Sequence, residues 1–174
     1  MNGQLKTALS FYLFSVFLQE LAGQKEVRNS NFVFHEVKEC EQLIQKLPYT
    51  LTNDQKNVWK EIQEDVASGT IMARLIQGDV GSGKTIIAIL ALLQTVKNGY
   101  QGCFMVPTEV LAKQQYESVK QLLEPFGVRS TLLVGSMTAK EKRQAYEKMK
   151  QQETDVIIGT HALIQEKAEY ANLG

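Results

Sequence analysis

Gly78, Gly83, Lys84 and Thr85 stand at the spacing G-x-x-x-x-G-K-[ST], inside the stretch 75–85 that reads Leu-Ile-Gln-Gly-Asp-Val-Gly-Ser-Gly-Lys-Thr. Glycines at those points let the backbone turn back on itself, so that successive N–H groups face one concavity suited to phosphate oxygens. In such a loop the Lys84 ammonium reaches the β- and γ-phosphates of a nucleoside triphosphate, and the Thr85 hydroxyl is one ligand of a Mg²⁺ ion. Lys84 and Thr85 are thus the candidate catalytic pair, and Asp79, Val80, Gly81 and Ser82 complete the nucleotide-binding set. A glycine-rich turn with an exposed lysine can arise by chance, so the flanks decide. Met72 to Gln77 reads as a short apolar strand and Thr85 to Val96 as a helix rich in Ile, Leu and Ala. That strand, loop, helix order is what the motif needs in order to work.

The elements around the loop alternate in the same way. Asn53 to Ser68 reads as an amphipathic helix with Val58, Ile62 and Val66 in one row, closed by Gly69. Strands are expected at Gly102 to Val106, Arg129 to Val134 and Asp155 to Ile158, with a helix from Glu109 to Phe126 stopped by Gly127. Thr138 and Glu141 form a capping box that opens a charged helix to about Gln151, and a short helix follows His161. Helices of this length between apolar strands argue for an α/β fold, a parallel sheet with helices on both faces. Ligands of such sheets sit where the strands end. Gly78 to Thr85, Pro107-Thr108-Glu109, Gly135-Ser136 and Gly159-Thr160-His161 all fall at that edge. Four polar elements on one rim exceed the needs of a nucleotide and predict something long lying across it.

Composition bounds the alternatives. The chain has 174 residues, 44% hydrophobic and 22% charged, the proportions of one globular domain. Nineteen basic residues balance nineteen acidic ones, which gives no support to non-specific nucleic-acid binding, although a neutral total can hide a basic face. Cys40, Cys103, His35 and His161 lack ligand spacing, so a metal site made from them is not expected. Residues 1–47 read as a helical lead-in to the domain 48–174, with Val37, Cys40, Leu43, Ile44 and Leu47 striping a helix that Pro48 ends. The apolar run 8–18 has the outline of a secretory signal but is short for a membrane span. Leu9, Leu13, Phe17 and Leu21 share one helical face, which favours a helix packed on the next domain of a cytoplasmic protein with no membrane contact.

In order along the chain, Leu51-Thr52 with Gln55, the loop 77–85, Pro107-Thr108-Glu109 with Leu111-Ala112 and Gln114, and Gly159-Thr160-His161-Ala162 resemble the motifs of superfamily 2 helicases. The best match is the RecG family of ATP-dependent DNA helicases, strong over residues 48–174; the lead-in resembles that family's connector more weakly. The resemblance implies a RecA-like motor domain, ATP and Mg²⁺ as cofactors, branched or duplex DNA as partner, and a monomeric enzyme serving DNA repair and recombination. It implies that Gln55 reads the adenine edge, although Thr52-x-x-Gln55 is equally a capping box. It makes Pro107, Thr108, Glu109, Gly135, Thr160 and His161 the DNA-binding set, with hydroxyls and backbone N–H groups on phosphates. Helix capping by Thr108 and Thr160, and a favourable first-turn charge on Glu109, remain open beside that reading.

The same resemblance calls for an Asp-Glu pair on a strand that would begin near Asn172-Leu173-Gly174, and for a second motor domain with an arginine. The expectation is therefore a first motor domain cut short, which binds ATP weakly and turns it over negligibly by itself. Transcription-repair coupling and primosomal helicases share much of this pattern, and a nucleotide-binding module without hydrolysis is a further alternative. A small-molecule kinase would leave the loops 107–109 and 159–161 without a task.

Overall fold

The computed structural model describes residues 32–69, 71–79, 81–164 and 168–174. The expected helix around Leu9 to Leu21 and the break before Phe32 lie outside the described residues, as does Val80 of the loop.

Among the described residues five α-helices and three strands follow one another: α1 Lys38–Lys46, α2 Asn53–Ala67, α3 Lys84–Lys97, β1 Gly102–Met105, α4 Glu109–Leu123, β2 Ser130–Leu133, α5 Ala139–Lys150 and β3 Val156–Gly159. Short 3-10 turns occupy Glu124–Phe126 and His161–Ile164. Side chains start three of these helices. Thr52 with Gln55, and Thr138 with Glu141, each form the reciprocal capping box, and the Thr108 hydroxyl accepts from Leu111 N–H. Gly69 and Gly127 take the positive φ angles (71° and 74°) that helix exits require. α4 is shorter than expected: Pro125 has no N–H to continue the α ladder, and the chain tightens into a 3-10 turn.

The strands pair in parallel in the order β1-β3-β2. β3 is central, with Gly159 opposite both Met105 and Leu133. All four of its residues are buried, because helices cover both faces. Val156 and Ile158 join Leu90, Leu93, Val119 and Leu123 on one side, where α1 to α4 pack. Ile157 points the other way, to Ala145 and Met149 of α5 and Leu163 of the last turn. The alternation of a single strand thus feeds two cores.

The expected strand at Met72 to Gln77 does not form. The run takes no regular secondary structure, and Ile71 before it and Met72 and Leu75 within it are exposed. Its arginine ties it to α2 instead, through Arg74 ion pairs to Glu61 and to Asp65, the latter at 2.8 Å. A ladder needs a partner at about 4.8 Å. The residues beside the free edge of β1 are 172–174, with Leu173 bridged to Gln101, and an apolar cavity of about 380 Å³ separates Ile71 and Met72 from Gly174. Among the described residues no strand pairs with the run.

Candidate nucleotide and nucleic-acid site

α3 begins unlike the other helices. Its N-cap is Gly83, in the left-handed region with φ 75°, and it has neither a side-chain cap nor an acidic residue in its first turn. α2, α4 and α5 have a threonine cap and a first-turn acid, and α1 has two acids. The first N–H groups of a helix have no partner within it and carry its positive dipole end. Among the described helices, only α3 leaves that end uncompensated by its own sequence, which suits it to an anion.

The loop is folded around the lysine. Lys84 Nζ donates to the carbonyls of Gly78 and Asp79 at 2.6 and 2.7 Å and reaches Ser82 Oγ at 3.1 Å. Ser82 N–H closes a turn on Asp79 O at 3.1 Å, and Gly81 carries φ 85°. A Cβ at Gly78 would lie 2.6 Å from Ser82 Oγ, so a side chain here would have to displace Ser82. Gln55 is the strut from outside. Its Oε1 accepts from Thr52 N–H at 2.9 Å and its Nε2 donates to Ser82 O at 2.9 Å. The capping box and the loop contact therefore coexist in one amide, which keeps one N–H and one lone pair for a ligand. Thr85 follows on the first turn with its side chain exposed. This cradle fits a triphosphate: an uncompensated helix start, a lysine already inside the loop and a threonine at its mouth.

The other predicted residues gather where the parallel strands end. β1 leads into exposed Pro107 and Thr108, β2 into Gly135 and Ser136, and β3 into Thr160 and exposed His161. Since β3 lies between the others, Thr160 stands between the two flanking loops. α3 turns into β1 through residues 98–101, so its axis runs back along the sheet and its start points toward that same edge. Thr160 takes part in the last turn through its carbonyl, which accepts from Leu163 N–H at 3.0 Å. His161 opens that turn.

Glu109 faces its neighbour loop, an arrangement that sequence spacing does not disclose. Its Oε1 accepts from Ser136 N–H at 3.0 Å, while Lys142 Nζ donates to Gly135 O at 2.6 Å. Hydrogen bonds from Ser136 hold the Glu109 carboxyl below the usual range against some desolvation, with help from Gly135 N–H and the nearby Lys113. Among the described residues no three His, Cys, Asp or Glu side chains form a metal-binding group, and no helix is long and apolar enough to cross a membrane.

Fold and loop together define a helicase-type nucleotide-binding domain, and residues 52–173 match the DEAD/DEAH box helicase family; the chain belongs to that family. Within it, the RecG resemblance seen in the motifs holds. The chain is 51% identical over 131 residues to the ATP-dependent DNA helicase RecG of Aquifex aeolicus, covering 75% of this chain and 16% of that protein. It is 44% identical to the same-named helicase of Streptococcus pneumoniae, covering 94% of this chain and 24% of that protein. A solved structure of RecG bound to a three-way DNA junction superposes with TM-score 0.81 at 42% identity, over 90% of this chain and 21% of that one. A hypothetical ATP-dependent RNA helicase of Sulfolobus tokodaii, at 17% identity and TM-score 0.56, shares the fold. The chain thus spans between 16% and 24% of the length of these RecG relatives.

Proposed function

We propose that this chain is the nucleotide-binding part of the first motor domain of an ATP-dependent DNA helicase or translocase acting on branched DNA, such as stalled forks and recombination intermediates. The carrying observation is the uncapped start of α3, with Lys84 folded into its loop, beside a sheet edge bearing three further polar loops. ATP is the nucleotide on this reading. Lys84 bears on the β- and γ-phosphates, the N–H groups that open α3 receive phosphate oxygens, and the spare N–H and lone pair of Gln55 take the adenine edge. Thr85 would hold Mg²⁺, which supplies neutralisation of charge on the phosphates when bound.

DNA lies across the other loops. Hydroxyls of Thr108 and Thr160 and the backbone N–H of His161 hold phosphates, presented by the loops that Pro107 and Gly135 shape, and such contacts position a strand without reading its sequence. The three-way junction held by the solved relative supports branched DNA as the partner. Repair and recombination follow from such substrates, in the cytoplasm, with a monomer as the working unit. Turnover belongs to the longer protein of which the relatives are examples.

The test is a titration of the chain with a fluorescent ATP analogue and Mg²⁺. Lys84→Ala is expected to weaken binding by about tenfold, the worth of one charge-assisted contact. Its thermal midpoint should be unchanged, because among the described residues the hydrogen bonds of the lysine side chain stay within its own exposed loop. Hydrolysis by the 174-residue chain, with or without junction DNA, is expected to stay at background. Equal affinity of the two proteins would remove the loop from the reading.

A further inference from the structure

α4 starts directly after β1 and packs on β2 and β3. Glu109, its first residue, meets the backbone that follows β2. The contact is built on both sides. Ser136 N–H and Glu109 Oε1 are 3.0 Å apart, and a Cβ at Gly135 would stand 2.9 Å from the same oxygen, so the carboxylate fits because residue 135 has no side chain. From the other side Lys142 holds Gly135 O, and the Thr138–Glu141 box fixes the start of α5 just beyond. Strands two places apart in a sheet are about 9.6 Å from one another. This bridge therefore ties the two outer loops across the Thr160 loop between them.

We infer that Glu109 is a positioning residue for DNA engagement: its carboxylate holds the loop at Gly135-Ser136 in fixed register with the loop at Pro107-Thr108, so that both meet successive phosphates of one strand. The inference rests on the DNA-binding reading of these loops and assigns Glu109 a task other than touching DNA. A carboxylate beside a phosphate path repels it. If charge were its only effect, deleting it would tighten DNA binding. The brace demands the opposite sign.

The experiment measures anisotropy of a labelled three-way junction titrated with the full 174-residue chain, together with amide hydrogen exchange at Ser136. Glu109→Ala is expected to weaken junction binding about fivefold and to speed exchange of the Ser136 amide, with an unchanged thermal midpoint. Glu109→Gln keeps an oxygen for Ser136 N–H and loses the charge; it should bind at least as well as the parent and keep the amide protected. Tighter or unaltered binding by Glu109→Ala overturns the inference, as does a Gln variant as weak as the Ala one. Thr160→Val separates the two levels. If it weakens binding while Glu109→Ala does not, the brace fails and the DNA site stands; if neither variant alters binding, both fail.

Discussion

The Thr108 hydroxyl accepts the Leu111 N–H at 3.3 Å and still owns a proton to give. Capping and phosphate contact are therefore compatible at this residue, as they are for capping and base recognition at Gln55. Substitution can separate them. Thr108→Ala removes both and should cost about 1 kcal/mol of stability through the lost cap. Thr108→Ser retains both, whereas Thr108→Asp retains the cap and puts a negative charge where a phosphate would lie. Urea unfolding and junction binding, measured on all three, should therefore rank the Asp variant with the parent for stability and last for DNA. A Thr108→Asp protein that binds DNA as the parent does would leave Thr108 as a cap alone.

At the scale of elements, much was readable because the signals are local. Thr52-x-x-Gln55 and Thr138-x-x-Glu141 mark helix starts by chemistry that acts within one turn, and Gly69 and Gly127 mark exits by their permitted φ. The glycine-rich bend and the helix that starts at Lys84 were legible for the same reason. The run Met72 to Gln77 was misread because apolar composition reports a wish for burial and says nothing of which backbone stands alongside. The Glu109–Ser136 contact was equally invisible, since it joins residues 27 apart that only the strand order brings together.

The start of the sheet offers a pH test at this same scale. Arg129 grips Asp155 with Nη2–Oδ1 at 2.7 Å and Nε–Oδ2 at 3.0 Å, and Arg129 N–H adds a third bond at 2.8 Å. Burial pushes the Asp155 carboxyl up, but these bonds outweigh it and leave it below its ordinary value of 3.8. A carboxyl depressed in the folded state stabilises the protein above its unfolded pKa, and that contribution fades as pH falls through the folded one. Asp155→Asn should thus cost about 1–2 kcal/mol at pH 7, a modest figure because the guanidinium is half exposed, and progressively less as pH falls below 3.8. A stability gap that stays the same size as pH falls from 7 to below 3.8 would contradict the linkage.

Across the whole molecule, Gln101 gathers segments far apart in the chain. It is fully buried, donates to Met149 O and Thr154 O at 3.0 and 2.9 Å, and accepts from the N–H groups of Ala171 and Asn172 at 2.9 and 3.0 Å. One amide so satisfied closes the exit of α5, the approach to β3 and residues 171–172 onto the start of β1. Gln101→Leu, close in volume, would strand Thr154 O and Asn172 N–H, while Ala171 N–H and Met149 O still bond each other at 3.3 Å, and is expected to cost about 2–4 kcal/mol in a denaturant titration. A loss below about 1 kcal/mol would show that water replaces the amide.

The grip of Lys84 on two carbonyls of its own loop gives nucleotide arrival the character of a substitution. An incoming phosphate has to win the ammonium from oxygens that already hold it, so the measured affinity reports the surplus of one partnership over the other. Deleting the lysine abolishes both at once, and the deficit in Lys84→Ala will understate how firmly that cation clasps its guest. The same rivalry guards the seat against casual visitors: an anion that cannot outbid a pair of peptide oxygens leaves the loop as it found it.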